Sequence, residues 1–231
     1  MDAQVERLVD KTWSRYQALA PGHRLLIGIA GIPGSGKTTL SKTVSKQIND
    51  RASNDVSIYL PMDGFHLTRA ALSAMANPSE AHARRGASFT FDAPKFLSLV
   101  RALRSTPIKP SAPVLAPSFD HAIKDPKEDD IAVQPWHRVV ILEGNYLALD
   151  EHVWRDAASL LDDLWFVDVD EEVARRRLRE RHVRAGIARH LDEADRRVTE
   201  NDLVNGAEII ARRLPVNEVV CSEEDDEWAH E

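Results

Sequence analysis

Apolar positions recur along this chain with two different periods, and the two periods alternate. Between residues 3 and 19, Val5, Leu8, Val9, Tyr16 and Leu19 fall on one helical stripe, predicting an N-terminal helix that packs on the body. HRLLIGIA (23–30) then reads as a buried strand, followed by a glycine-rich segment and a helix running to about Ile48. VSIYL, RVVIL (138–142) and DLWFVDV (163–169) are further short apolar runs of strand type, and EVVC (218–221) is a short last one. Residues 151–161 look helical, an arginine-rich helix starts near Asp170, and another begins near Asp192. Strands alternating with helices imply an α/β fold with a parallel sheet and right-handed crossovers.

One stretch resists this pattern. From Gly64 to Pro117 the only regular signal is a helix from Ala93 to about Leu103, with Asp92 placed to cap it. Pro107, Pro110, Pro113 and Pro117 then mark surface loop or edge strand. No internal repeat is visible.

Composition narrows the class. At 231 residues, 43% hydrophobic and 29% charged, the chain reads as one domain over 1–221, with an acidic tail, SEEDDEWAHE, as a solvated mobile terminus. A net charge of −7 argues against bulk nucleic-acid binding. Cys221 is the single cysteine, which points to a reducing compartment. No apolar run approaches the roughly 20 residues needed to span a bilayer, and the start of the chain lacks a signal-type stretch, so the expectation is a cytoplasmic protein with no membrane partner.

The chemistry begins at G-I-P-G-S-G-K-T, residues 31–38, which satisfies the phosphate-loop pattern between a strand and a helix. Gly31, Gly34 and Gly36 allow backbone N–H groups to approach phosphate oxygens, and the helix start adds its positive end. Ile32, Pro33 and Ser35 complete the loop. Lys37 reaches the β- and γ-phosphates, Thr38 can ligate Mg²⁺, and Thr39 follows in the first turn. The partner acid should end a neighbouring strand: Glu143, followed by Gly144, is favoured over Asp168, which reads as a helix cap beside Asp170.

Asp63, in YLPMDGFHL, admits two readings. Asp-Gly is a hairpin signal, yet an acid just past a buried strand can also face a ligand. No alternating strand follows it, so Asp63 belongs at the same carboxyl edge of the sheet as Lys37. The chain has no Asn-Lys-x-Asp string for guanine and no LSGGQ signature, while the long segment before RVVIL leaves room for an acceptor pocket.

Six strings, GIAGIPGSGKTTL, YLPMDGFH, RRGASFTFD, PSFDH, VVILEGNYLAL and WFVDVDEEVARRRLRERHVRAG, resemble the phosphoribulokinase/uridine kinase/pantothenate kinase class in content and order. The likeness covers about 24–221 and is nearest to the nucleoside- or sugar-kinase-like branch. It implies a P-loop NTPase fold with a five-stranded parallel sheet flanked by helices, and an arginine-bearing lid at about 175–190 with Gly186 as a hinge. It implies ATP and Mg²⁺ as cofactors and Asp63 as the group that orients and deprotonates an acceptor hydroxyl. Charge neutralisation during transfer falls on Arg177 and Arg181, while the cluster, these two included, also reads as a solvated face paired with Glu171, Glu172 and Glu180.

On the acceptor side the resemblance marks His66, Arg84, Arg85, Phe89, Asp120, His121 and Asn145. Arg85 could hold an anionic substrate, and Asp120 a sugar diol; each residue also has a plain structural reading as core, surface or turn. Asn201 and Asn205, in NDLVN, read either as ligand contacts or as helix surface. Uridine kinases carry a Phe-Asp-His-Pro string where this chain has Arg85 and Gly86, a departure from uridine kinase proper. The expected activity is ATP-dependent phosphorylation of a hydroxyl on a sugar, nucleoside or related small metabolite. The alternatives are a uridine kinase proper and a non-catalytic nucleotide-binding regulator.

Overall fold

The computed structural model describes residues 2–109 and 112–223. The tail expectation falls, from 224 onward, outside the described residues. Five strands, β1 (Leu25–Gly31), β2 (Ser57–Pro61), β5 (Val139–Gly144), β6 (Asp163–Asp168) and β7 (Glu218–Cys221), form one sheet in the order β2-β5-β1-β6-β7. All four pairings are parallel. A parallel sheet is covered on both faces, so its strands are apolar throughout rather than alternating; β1 and β5 are buried along their whole length.

Successive residues serve opposite layers. Leu25, Ile27 and Ile29 pack with Val5, Leu8 and Val9 of α1 (Asp2–Gln17) and with Leu40, Val44 and Ile48 of α2 (Lys37–Ala52). Leu26 and Ala30 face the other core, with Phe96 and Val100 of α5 (Ala93–Arg104) and Trp154 of α6 (His152–Ala158). Asp92 accepts the Lys95 N–H at 2.9 Å, the cap expected for α5. α1 is also fixed by charge: Lys11 and Arg15 lie 2.8 and 3.0 Å from the buried Asp163 carboxylate.

Two short helices, α3 (Arg69–Ser73) and α4 (Pro78–Ala83), fill part of the irregular stretch. The larger departure from the sequence pattern is a second sheet, in which β3 (Val114–Asp120) pairs antiparallel with β4 (Asp125–Val133). β3 answers the edge-strand reading of the proline-rich segment. Pro117, which has no N–H to give, sits at the irregularity between Ala116 and Ser118. No hairpin forms at Asp63-Gly64; Met62–Phe65 is instead one 3₁₀ turn.

After β6 the chain enters α7 (Glu171–Arg184), with Asp170 capping it through the Glu172 and Val173 N–H groups. The single helix expected from Asp192 is three pieces: α8 (Leu191–Arg197), a π-helical turn (Val198–Asp202) and α9 (Leu203–Ala211). Gly186, at the α7–α8 connection, has a left-handed backbone with φ 64°. Among the described residues no helix is long and apolar enough to cross a membrane.

Candidate active site

The phosphate loop closes tightly because two of its glycines take left-handed conformations, Gly34 at φ 80° and Gly36 at φ 87°. A Cβ on Gly34 would also lie 2.8 Å from the Ala174 carbonyl oxygen, so α7 packs directly on the loop. Lys37 is the first residue of α2, and its ammonium folds back to donate to the Ile32 carbonyl at 3.3 Å. In that position the charge sits at the centre of the loop that phosphate oxygens would occupy.

The sheet register delivers the acids to the same edge. Glu143, at the end of β5, pairs with Ile29 of β1 on one side and Pro61 of β2 on the other. Its carboxylate lies 4.0 Å from the Lys37 ammonium and accepts a hydrogen bond from the Thr38 hydroxyl. Burial pushes the Glu143 carboxyl up to about 7, against the opposing pull of Lys37; burial also lowers the Lys37 ammonium from its ordinary value. A carboxyl held above its unfolded value contributes stability that is complete below about 4.5 and lost as the pH rises through about 7. The resulting penalty is on the order of 3 kcal/mol. The ligand-free protein is therefore expected to melt at lower temperature at pH 8 than at pH 5, and Glu143→Gln to flatten that slope. A melting series over pH checks it, and an unaltered slope in the variant would place the titration elsewhere.

Asp63 follows β2 by two residues and opens, exposed, into a cavity of about 550 Å³ that Lys37, Thr38 and Glu143 also line. His66 lines it too. Its Nδ1 lies 2.9 Å from the Asp63 carbonyl oxygen, which can only accept, so Nδ1 carries the proton. Burial lowers the His66 imidazole from its ordinary value, keeping the ring neutral with Nε2 as an acceptor. The ring packs at a tilt between Phe91 and Phe119, with centroids 4.0 and 5.0 Å away and interplanar angles of 40° and 49°.

Of the other residues marked in the sequence, Pro33, Arg85, His121, Asn145 and Arg181 also line the cavity, while Gly31, Ile32, Gly34, Ser35, Gly36 and Thr39 build the loop and the first turn of α2 behind it. Four are placed elsewhere. Phe89 is 47% exposed and outside the cavity. Asp120 ends β3, and its carboxylate closes the following turn by accepting the Ala122 and Ile123 N–H groups at 2.8 and 3.2 Å. Arg84 donates to the side-chain oxygens of Asn201 and Asn205 at 3.1 and 2.6 Å.

Arg177 is the instructive one. It donates to Ser222 Oγ at 2.9 Å and to the Gly34 carbonyl at 3.4 Å, on the outer side of the loop. Four helical residues advance about 6 Å along the axis, so Arg177 and Arg181 share a face but only Arg181 reaches the cavity.

Several cavity residues carry no clear sequence signal, among them His82, Lys124, Arg197 and Asp202. Asn205 lines the cavity while Asn201 is buried beneath it, donating to the Arg85 carbonyl at 3.1 Å. The four-residue spacing Arg197–Asn201–Asn205 is the one signal that could have found this wall.

For a divalent cation, the Thr38 hydroxyl and the Glu143 carboxylate are hard oxygen donors facing one cavity, the kind Mg²⁺ prefers. No group of three or more acidic, histidine or cysteine ligands exists among the described residues. This suits a cation that keeps waters and leans on phosphate oxygens.

Comparison with known proteins agrees with this geometry. The family model described as "Phosphoribulokinase / Uridine kinase family" matches residues 26–189. The chain is 52% identical over 159 residues to the ATP-dependent kinase-like protein notR' of Aspergillus versicolor, covering 69% of this chain and 92% of that protein. It is 42% identical over 206 residues to a candidate uridine kinase, C227.14, of Schizosaccharomyces pombe, covering 89% and 86% respectively. Among solved structures, a candidate fructose transport system kinase from Silicibacter sp. TM1040 superposes with a TM-score of 0.80 at 33% identity, over 93% of this chain and 98% of that one. With the phosphate loop, the flanking acids and the five-stranded parallel sheet in place, the chain belongs to the phosphoribulokinase/uridine kinase family of P-loop kinases.

Proposed function

We propose that this protein transfers the γ-phosphoryl group of ATP to a hydroxyl of a small metabolite, a sugar, nucleoside or related alcohol. The observation that carries the reading is the exposed Asp63 carboxylate in one cavity with Lys37, Thr38 and Glu143. In such a transfer the bond from the γ-phosphorus to the β–γ bridging oxygen breaks as the acceptor oxygen bonds to phosphorus, and the acceptor proton passes to Asp63. Proton removal from an alcohol in a loose transition state needs a carboxylate within hydrogen-bond reach rather than a strong base. Lys37 and Arg181 would offset charge on the transferred group. His66, with Nε2 as an acceptor, would take a hydrogen bond from a second hydroxyl of the acceptor and so help orient it. When bound with ATP, Mg²⁺ supplies further charge neutralisation at the phosphates, held by Thr38 and Glu143.

A coupled ADP-release assay over sugars, nucleosides and related alcohols tests the activity. Uridine and fructose join the screen because similar proteins carry those names. Acceptor-dependent ADP release is expected for at least one class; a folded, nucleotide-binding preparation silent on all of them would sink the reading.

A further inference from the structure

Beside the phosphate loop the cavity is lined by several cationic side chains, and Arg85 is not the free one among them. Arg85 is already balanced by Asp125 at 3.0 Å and donates to the carbonyls of Leu67 and Lys124 at 3.0 and 2.6 Å. Its guanidinium lies 5.6 Å from the centre of the Phe119 ring. Arg85 therefore acts as a strut. Through the Lys124 carbonyl it holds the β3–β4 turn, and through its own carbonyl, which accepts from Asn201, it holds the π-helical turn that follows Arg197.

What the strut brings to the wall is Lys124 and Arg197. Both line the cavity, and neither has a carboxylate partner among the described residues. The Arg197 Nε is buried and makes no hydrogen bond. A buried donor without an acceptor is costly, and on a cavity wall a bound anion or water is one way to satisfy it. His82 and His121 stand on the same cavity lining. The acids there are Asp63, Glu143 and Asp202. Asp63 is assigned to the acceptor hydroxyl, Glu143 faces Lys37, and Asp202 accepts from His182 Nε2 at 2.8 Å.

We infer that the acceptor is an anionic alcohol, whose carboxylate or phosphate group lies against Arg197 and Lys124 while its hydroxyl meets Asp63. The inference rests on the kinase reading above and narrows it. A neutral acceptor would leave the two cations with no anion but the ATP phosphates, and removing one member of a desolvated charge pair is a strong source of discrimination.

Two measurements test it. First, sulfate is titrated into the protein saturated with a non-hydrolysable ATP analogue and Mg²⁺, so that the phosphate loop is blocked. Melting temperature should rise with sulfate in the native chain, and the rise should shrink in Arg197→Gln and in Lys124→Asn. Lys124 sits on an exposed turn at φ 58°, a conformation asparagine tolerates, so that variant carries the test if Arg197→Gln unfolds. Second, ribose and glucose are each compared as acceptors with their aldonates and with ribose 5-phosphate and glucose 6-phosphate. One anionic arm should exceed its neutral parent in kcat/KM by on the order of 100-fold. That preference should collapse in the variants with ATP affinity unchanged, and the better arm names the anion. Neutral sugars turned over as well as their anions, or no sulfate effect, overturns the anionic acceptor while leaving the kinase reading standing. A sulfate effect lost in the variants, with no turnover on any acceptor, overturns the kinase reading and leaves the anion wall.

Discussion

Asp63→Asn is expected to lower acceptor-dependent turnover by about 10²- to 10⁴-fold, the usual span for removing a general base. Nucleotide affinity should not change. The replacement keeps the shape of the side chain and its place in the 3₁₀ turn, removing only the capacity to take a proton. Lys37, Thr38 and the loop backbone, which would hold the phosphates, lie on other elements and keep their geometry. Nucleotide titration alongside ADP release makes the comparison. A protein that merely binds nucleotide would be indifferent to the change, and turnover surviving intact would remove Asp63 from the chemistry.

Gly64→Ala should be nearly as damaging for a different reason. A Cβ at Gly64 would stand 2.2 Å from the Pro117 carbonyl oxygen and 2.6 Å from its carbon. Both atoms are backbone, so no rotamer change relieves the clash, and β3 or the turn must move. Overpacking of this kind costs about 1–3 kcal/mol or more. Since Asp63 precedes Gly64, and Phe119 and His121 follow Pro117, the same displacement separates Asp63 from that part of the cavity lining. A misplacement of about 1 Å can cost about 100-fold in rate, so melting temperature and turnover should fall together. Gly206→Ala is the control: its Cβ would meet only Ile32 side-chain atoms at 3.5 Å or more, within α9, where alanine favours the helix. A Gly64→Ala protein melting and turning over like the native chain would refute the close approach.

The sheet was legible because its central strands are buried on both faces, leaving unbroken apolar runs such as RVVIL. The phosphate loop was legible because its geometry demands particular residues, and Asp63 because its strand ends at the same edge. β4 was not, since KEDDI is largely solvent-facing and shows no period to read. The fate of Arg84 and Arg85 was hidden for another reason. Their partners, Asn201, Asn205 and Asp125, lie far along the chain, and no local pattern shows that those groups already claim the guanidinium donors. Arg177 differed from Arg181 because shared helical facing does not fix distance along the axis.

The β3–β4 hairpin forms a sheet of its own, separate from the five strands that carry the phosphate loop. It enters between β2 and β5, at the point where the chain leaves the sheet edge, and contributes Phe119, His121 and Lys124 to the cavity. Lengthening or rebuilding such an excursion adds little closure entropy. Under the proposed reading, the share of the acceptor wall that this excursion carries is thus encoded apart from the phosphate loop, and descendants can reshape it while inheriting the engine unaltered.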